Sequence, residues 1–316
     1  MNPKRFFPLL ILICLLWGCR NPGYAVFNGY AQGGTYTVKA DLRGVRTPPK
    51  EIAQAIDSLL NGIDFSLSGY NKNSLLTRFN AGESIVPDRY FTEIRALSER
   101  YKSETGGAFD VAAAPLFDIW GFGFTADSLP DPARIAAALA ACQEEKVLNF
   151  NAIAQGYTCD VVADYLHTIG VHNMLVDIGE IFCEGVNPSG AGWTIGVDNP
   201  KDDNTTPGSD IRSIWQSDGS ACGIVTSGNY RKFYIRDGRK YAHTIDPRTG
   251  YPVTHDLLSA TIVAPTAAEA DALATACMVL GPEQARALIE SRPEIEGYLI
   301  TGSSTWMSEG FAAQAR

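Results

Sequence analysis

The sequence predicts an α+β fold, with mixed or antiparallel sheets and packed helices, on three observations. Short runs of β-branched and aromatic residues cluster after residue 170. Segments with helical periodicity are fewer and scattered. Strand and helix do not alternate regularly, so a parallel sheet of βαβ units is not expected. The 316 residues allow one large domain or two, and 45% apolar with 10% aromatic content is enough for a sizeable core. A net charge of −9 gives no basic footprint, which argues against a nucleic-acid partner.

The chain opens with Lys4-Arg5 and an apolar run from Phe6 to Trp17, too short to span a bilayer comfortably. It ends Leu15-Leu16-Trp17-Gly18-Cys19, which resembles a bacterial lipobox with Cys19 as the lipidated residue. Residues 1–18 are read as a lipoprotein signal peptide, with an uncleaved anchor helix as the alternative. Residues 19–28 read as a short tether within a single mature domain, 19–316.

A first strand is expected from Gly33 through Val38, where β-branched and aromatic residues follow a glycine pair. Ile52, Ile56, Leu59 and Ile63 recur at helical spacing over Pro48–Ile63. Ser66–Tyr70 reads as a loop and Ser74–Phe79 as a short amphipathic turn. Asp88 caps a helix carrying Phe91, Ile94, Leu97 and Tyr101, ended by Gly106-Gly107. The stretch from Ala108 to Phe124 is apolar and glycine-spaced. Asp131 with Pro132 starts another helix through Ile135 and Leu139. Asn151 is a possible cap for a helix with Val161, Val162, Tyr165, Leu166 and Ile169, closed by Gly170.

Strands follow at Met174–Ile178, Ile181–Glu184 and Trp193–Val197, then a polar, exposed excursion from Asp198 to Asp210 and a strand at Cys222–Thr226. Asp237-Gly238 is two-residue hairpin chemistry between Lys232–Arg236 and Tyr241–Ile245, which puts His243 on the returning strand. Asp246-Pro247-Arg248-Thr249-Gly250 is turn chemistry. After a strand at Leu257–Ala264, Thr266-Ala-Ala-Glu269 is a capping box, so a helix runs from about Ala267 to just before Gly281-Pro282. A helix over Glu283–Glu290 and a strand over Gly297–Ile300 complete the chain. The five cysteines beyond Cys19 are odd in number and lack a CxxC, which suits buried small hydrophobes better than a metal or disulfide framework.

Neither a G-x-G-x-x-G fingerprint nor a P-loop is present. Asp271 and Thr275 stand one helical turn apart on one face. A carboxylate above a hydroxyl suits a hard cation such as Mg²⁺, although an Asp in an Ala-rich helix can also be simply solvated. His243 can accept a proton from a hydroxyl at neutral pH, or serve structurally. Asp246 and Arg248 can pair to hold their turn. Ser227 lacks a nucleophile elbow and reads as backbone shaping.

His243-Thr-Ile-Asp-Pro-Arg-Thr-Gly250, Ala270-Asp-Ala-Leu-Ala-Thr275 and Thr226-Ser-Gly-Asn-Tyr230 together resemble the ApbE family of FAD:protein FMN transferases. Gly33-Gly-Thr-Tyr36, Ala108-Phe-Asp110 with Trp120-Gly-Phe-Gly123, and Asn149 to Asp160 extend the resemblance in the family's order. It implies an ApbE-like, tunnelling-fold-like catalytic domain that uses FAD as substrate with Mg²⁺. By the resemblance, Gln32, Gly33, Tyr70, Ala108, Phe109, Asp110, Asn149, Gln155 and Ile245 contact FAD. Asp271, Thr275 and the Ala152 carbonyl hold the metal, and His243 is the functionally important histidine. The sequence departs from the pattern at Gln32 (usually Met), Asn149 (usually Asp), Gln155 (usually Lys) and Gly179-Glu180, which has one glycine where two are common.

The implied product is FMN joined by a phosphoester to a Thr or Ser of an acceptor protein, with AMP released. Implied acceptors are redox subunits of exported or membrane complexes, reached from a lipid anchor on Cys19 facing the periplasm. Two alternatives stand beside this reading: an Mg²⁺-dependent FAD pyrophosphatase, and an anchored FAD-binding lipoprotein without turnover.

Overall fold

The computed structural model describes residues 23–123, 129–202, 204, 206–230, 233–236 and 238–316. The expected signal peptide, Cys19, Phe124, Lys232 and Asp237 lie outside the described residues. The N-terminal part comprises β1 (Tyr24–Ala31), β2 (Gly34–Asp41), α1 (Pro49–Leu67), α2 (Leu75–Asn80), α3 (Arg89–Glu104), α4 (Ala114–Ile119), α5 (Pro132–Gln143) and α6 (Ala154–Thr168). Then come β3 (Met174–Asp177), β4 (Ile181–Glu184), β5 (Thr194–Asp198), β6 (Ile211–Gln216), β7 (Cys222–Gly228), β8 (Phe233–Arg236), β9 (Arg239–Ala242) and β10 (Leu257–Ala264). The chain ends with α7 (Ala267–Leu280), α8 (Pro282–Glu290), β11 (Glu296–Thr301), β12 (Thr305–Met307) and α9 (Glu309–Gln314).

Eight strands form one sheet in the order β1-β2-β3-β4-β7-β10-β11-β12, and every neighbouring pair is antiparallel. The hairpins β5–β6 and β8–β9 stand outside it. The expected α+β class is observed. One face of the sheet packs on α1, α6, α7 and α8; the other is covered by β5–β6 and α9 through Trp193, Trp215 and Phe311. Among the described residues no helix is long and apolar enough to cross a membrane.

The middle of the molecule is α7. It is buried along nearly its whole length and, apart from Glu269, Asp271 and Thr275, is apolar, as suits a helix without a solvated face; it is wedged between β7 and β10 of the sheet and α6. Glycines make this possible. A Cβ on Gly156 of α6 would lie 2.2 Å from the Ala267 carbonyl oxygen, and one on Gly223 of β7 would lie 2.2 Å from Ala267 Cα.

Several expectations are corrected. The tether gives way to β1 from Tyr24 onward, which pairs with β2 along its full length. Only Phe27 on that edge strand is buried, with Val26 and Tyr30 exposed, so little apolar alternation marks it. Helix α1 runs past Ile63 and takes Ser66 and Leu67 out of the expected loop. Asn151 does not cap α6. The helix starts one residue after Ile153 with no side-chain cap, and Asn149 accepts the Asn151 N–H at 2.9 Å. Strand β9 ends at Ala242, so His243 stands one residue beyond it. The β6 and β12 strands and α9 are short and bury almost nothing beyond Trp215 and Phe311, so no regular apolar face marks them in the sequence. The five cysteines are buried and free, as expected, though Cys183 and Cys222 face each other across β4 and β7 with sulfurs 3.8 Å apart.

Candidate active site

A cavity of about 510 Å³ opens between the β1–β2 turn, the C-terminal end of α1 with its following loop, and the N-terminus of α6. Four of the residues expected to contact FAD line it: Gln32, Gly33, Tyr70 and Gln155. Gln32 and Gly33 join β1 to β2 with φ values of 51° and 80°, the paired positive angles of a type I′ turn. The Gln32 amide donates to the Thr158 hydroxyl, which in turn donates to the Ala154 carbonyl at 2.6 Å. The turn is thereby fastened to α6. Tyr70 is 74% exposed and presents its ring at the rim. Gln155 donates to the Ile178 carbonyl at 3.3 Å, and Gly179 opposite has no room for a Cβ, which would meet the Gln155 amide at 2.3 Å.

Beneath the α6 N-terminus lies Asp271. The Gly156 N–H donates to Asp271 Oδ2 at 3.1 Å rather than closing a turn on the Ala152 carbonyl four residues before it. Asp271 is thereby tied to the first turn of α6, four residues after Ala152. Thr275 is one turn further along α7, with its hydroxyl 3.5 Å from that of Ser227. Asp271 is only 5% exposed, and among the described residues no Lys or Arg pairs with it. Burial pushes its carboxyl up to about 7, the Asp160 charge pushes the same way, and the Gly156 N–H only partly offsets them. A buried carboxylate with one hydrogen bond, a threonine hydroxyl one turn along the same helix and a backbone carbonyl are all oxygen donors. That set fits Mg²⁺.

Asp160 was not singled out by sequence reading. It lies on α6 and accepts the N–H groups of both Ala267 and Ala268 at 2.8 Å, while Thr266 Oγ1 accepts from Glu269. The first three amides of α7 are thus capped by side chains. Burial, the largest cause, pushes Asp160 up to about 7 against the helping hydrogen bonds. The sequence gives little signal for it, since Asp160 is one of two acids, with Asp164, in the Tyr157–Leu166 stretch of α6. Glu269 leaves the expected capping box half made: its carboxylate sits near Arg100 and Arg292 at 3.7 and 3.8 Å.

His243 occupies a separate element. It is half-buried just past β9, and its ring meets the Phe122 ring edge-on at 6.3 Å. Phe122 stacks on Tyr234, Tyr234 on Tyr241 and Tyr241 on Trp120, so an aromatic ladder supports this hairpin. The following turn is held as its chemistry suggests. Arg248 grips Asp246 through Nε and Nη2, both at 2.9 Å, and Gly250 at φ 80° closes the turn. Trp120 Nε1 donates to the Gly250 carbonyl at 2.8 Å. A larger cavity of about 710 Å³ is lined by Trp120, Asn229, Tyr241, Ala242 and His255, on the hairpin that leads into His243.

The remaining expected contacts are less direct. Ala108, Phe109 and Ile245 are each 1% exposed and packed in the core, so only their backbones are available to a ligand. Asp110 caps the turn that follows it and pairs with Lys102 at 3.0 Å. Asn149 is engaged with its own loop and with Val111.

Most of the chain has recognisable relatives. A family model described as the ApbE family matches residues 33–299. An FAD:protein FMN transferase of Vibrio cholerae is 33% identical over 310 residues, covering 91% of each chain. One of Escherichia coli K12 is 34% identical over 290 residues, covering 83% of this chain and 81% of the relative. Among solved structures, the flavin transferase ApbE from Vibrio cholerae superposes with a TM-score of 0.79 at 30% identity, covering 92% of this chain and 99% of that one. The apo flavinyl transferase ApbE of Pseudomonas stutzeri does so with a TM-score of 0.79 at 32% identity, covering 92% and 96%.

Proposed function

The chain belongs to the ApbE family and is an FAD:protein FMN transferase, and from that premise we propose that it works with Mg²⁺ held by Asp271, Thr275 and the Ala152 carbonyl. The observation that carries the metal reading is the buried Asp271 carboxylate, tied by the Gly156 N–H to the first turn of α6, four residues after Ala152. Bound there, Mg²⁺ would polarise phosphorus and neutralise charge on the leaving nucleotide.

The protein's own groups do the rest. Gln32, Gly33, Tyr70 and Gln155 form the wall that receives the dinucleotide, with the Tyr70 ring available for stacking. The N-terminus of α6, where Asp271 accepts the Gly156 N–H, directs the positive end of the helix dipole toward the pyrophosphate. His243, supported by Phe122, takes the proton from a Thr or Ser hydroxyl of the acceptor. The freed oxygen forms its bond to the FMN-side phosphorus as the bond to the AMP oxygen breaks, and AMP leaves with that electron pair. Positioning and electrostatics supply most of the rate in such a transfer, so few titrating groups are needed.

Redox subunits of exported or membrane complexes are the proposed acceptors, and a lipid on Cys19 is the proposed tether to the cell envelope. Lys4-Arg5, the apolar run and Gly18-Cys19 support that placement. Cys19→Ser should abolish metabolic lipid labelling, and retained label would refute it. The transfer itself is tested by incubating the mature protein with FAD, Mg²⁺ and a threonine-bearing acceptor, then weighing the acceptor. A gain of FMN less water, equal to the AMP released, is expected. FMN and AMP with an unchanged acceptor would instead establish hydrolysis.

A further inference from the structure

At the far end of α6, about 18 Å along the helix from Gln155, two of the chain's four histidines meet a glutamate. His167 is on the last turn of α6, and Gly170 (φ 86°) ends that helix by donating its N–H to the His167 carbonyl at 2.9 Å. The reversal carries His172 back, and the two imidazoles stack with centroids 5.5 Å apart. Glu184, the last residue of β4, reaches both: Oε2 is 2.5 Å from His167 Nε2 and Oε1 is 3.5 Å from His172 Nδ1. One ligand atom from each residue lies within 4.8 Å of the others.

We propose that His167, His172 and Glu184 form a second metal site, specific for a divalent transition ion such as Zn²⁺ and distinct from the Mg²⁺ set at Asp271. Two imidazole nitrogens and a carboxylate oxygen are a zinc donor set, with the fourth position left to water. Tetrahedral zinc at its usual bond lengths separates its donors by roughly 3.3 Å. The observed spacings straddle that value, so small side-chain rotations complete the site. The backbone supporting it is already set: Trp193 Nε1 donates to the Glu184 carbonyl at 2.8 Å, and Phe182 meets the His167 ring edge-on. His172 is 68% exposed, which leaves the ion a path in from solvent. Mg²⁺, with its preference for oxygen, does not compete for a nitrogen-rich site. Once filled, the site staples the end of α6 to β4.

The test uses the untagged mature protein, stripped with chelator and dialysed against Zn²⁺ in excess Mg²⁺, with bound metal measured by plasma mass spectrometry. One equivalent of zinc is expected. It should remain in Asp271→Ala, which removes the charged ligand of the other site. His172→Gln, a change at an exposed side chain that leaves the fold intact, should weaken zinc binding by about 10²-fold or more without changing flavin transfer. Cobalt in place of zinc should show the absorption of nitrogen-ligated tetrahedral Co²⁺ in the wild type only. No stoichiometric zinc in the wild type would overturn the proposal, as would equal zinc affinity in His172→Gln.

Discussion

Replacing Asp271 by Asn tests the metal reading most sharply, because it removes the one carboxylate of the donor set while keeping its size and an oxygen to accept the Gly156 N–H. Two effects are expected. Loss of the charged ligand should weaken Mg²⁺ binding by at least about 10²-fold, more than the loss of an outer hydrogen bond would. The second effect concerns pH. The ionised carboxylate binds metal and the proton competes with it. With Asp271 raised to about 7, about one carboxylate in eleven is ionised at pH 6 and about ten in eleven at pH 8. Wild-type affinity for Mg²⁺ should therefore rise about tenfold from pH 6 to pH 8 and level off above, and the Asn variant should be flat across that range. The assay is calorimetric Mg²⁺ titration of the FAD-loaded protein at pH 6, 7 and 8, with far-UV circular dichroism to confirm the fold. A wild-type affinity that does not change with pH, or an Asn variant that binds Mg²⁺ as tightly as wild type, would refute the assignment.

If His243 takes the hydroxyl proton, His243→Asn should slow single-turnover transfer by on the order of 10²–10⁴-fold and flatten its pH profile, while FAD affinity and melting temperature stay near wild type. A structural histidine would reverse that pattern. Gly156→Ala puts a methyl 2.2 Å from a backbone oxygen of α7, so it should cost about 1–3 kcal/mol or more by overpacking, seen as a lower urea midpoint, and should also weaken Mg²⁺ binding. An unchanged midpoint would show that α6 and α7 separate freely. Asp160 is raised from 3.8 to about 7 in the folded state, so its contribution is fullest below pH 4 and is lost as pH rises toward 7. Melts in chelator should thus fall between pH 5 and pH 8 for wild type, and Asp160→Asn should shrink that fall. At pH 5 the same variant should lose about 1–3 kcal/mol, because its amide nitrogen faces an α7 N–H. An undiminished pH dependence would exclude Asp160 as its source.

Much of this was legible in the residues. Periodicity and caps located α3, α5, α7 and β10, because each buries a regular apolar face or carries a side-chain cap. The one-turn spacing of Asp271 and Thr275 on α7 is what singles them out as the proposed metal ligands. What stayed hidden depends on contacts between distant segments. The single buried side chain of β1 gives no alternation, and its strand character comes from pairing with β2. Asp160 reads as an ordinary helical residue until α7 arrives to be capped. Ala108, Phe109 and Ile245 are expected FAD contacts by resemblance alone, and their side chains serve the core, a distinction that no local pattern encodes. The His167–His172–Glu184 cluster joins residues on both sides of β3, which spacing alone does not reveal.

The capping of α7 by Asp160 bears on the order in which the chain folds. The acceptor for the Ala267 N–H lies 107 residues earlier, so this helix end is finished by a segment synthesised long before it. A nascent chain would hold α6 ready, with its carboxylate solvated, until α7 emerges and docks. Docking would then bury both acids, seat the Asp271 oxygens and close the sheet face in one step. Pairings of such long separation are slow to form. The Ala267 and Ala268 amides, whose partner is a side chain on another helix, should gain hydrogen-exchange protection only at that step. Their protection would time the birth of the active site during refolding.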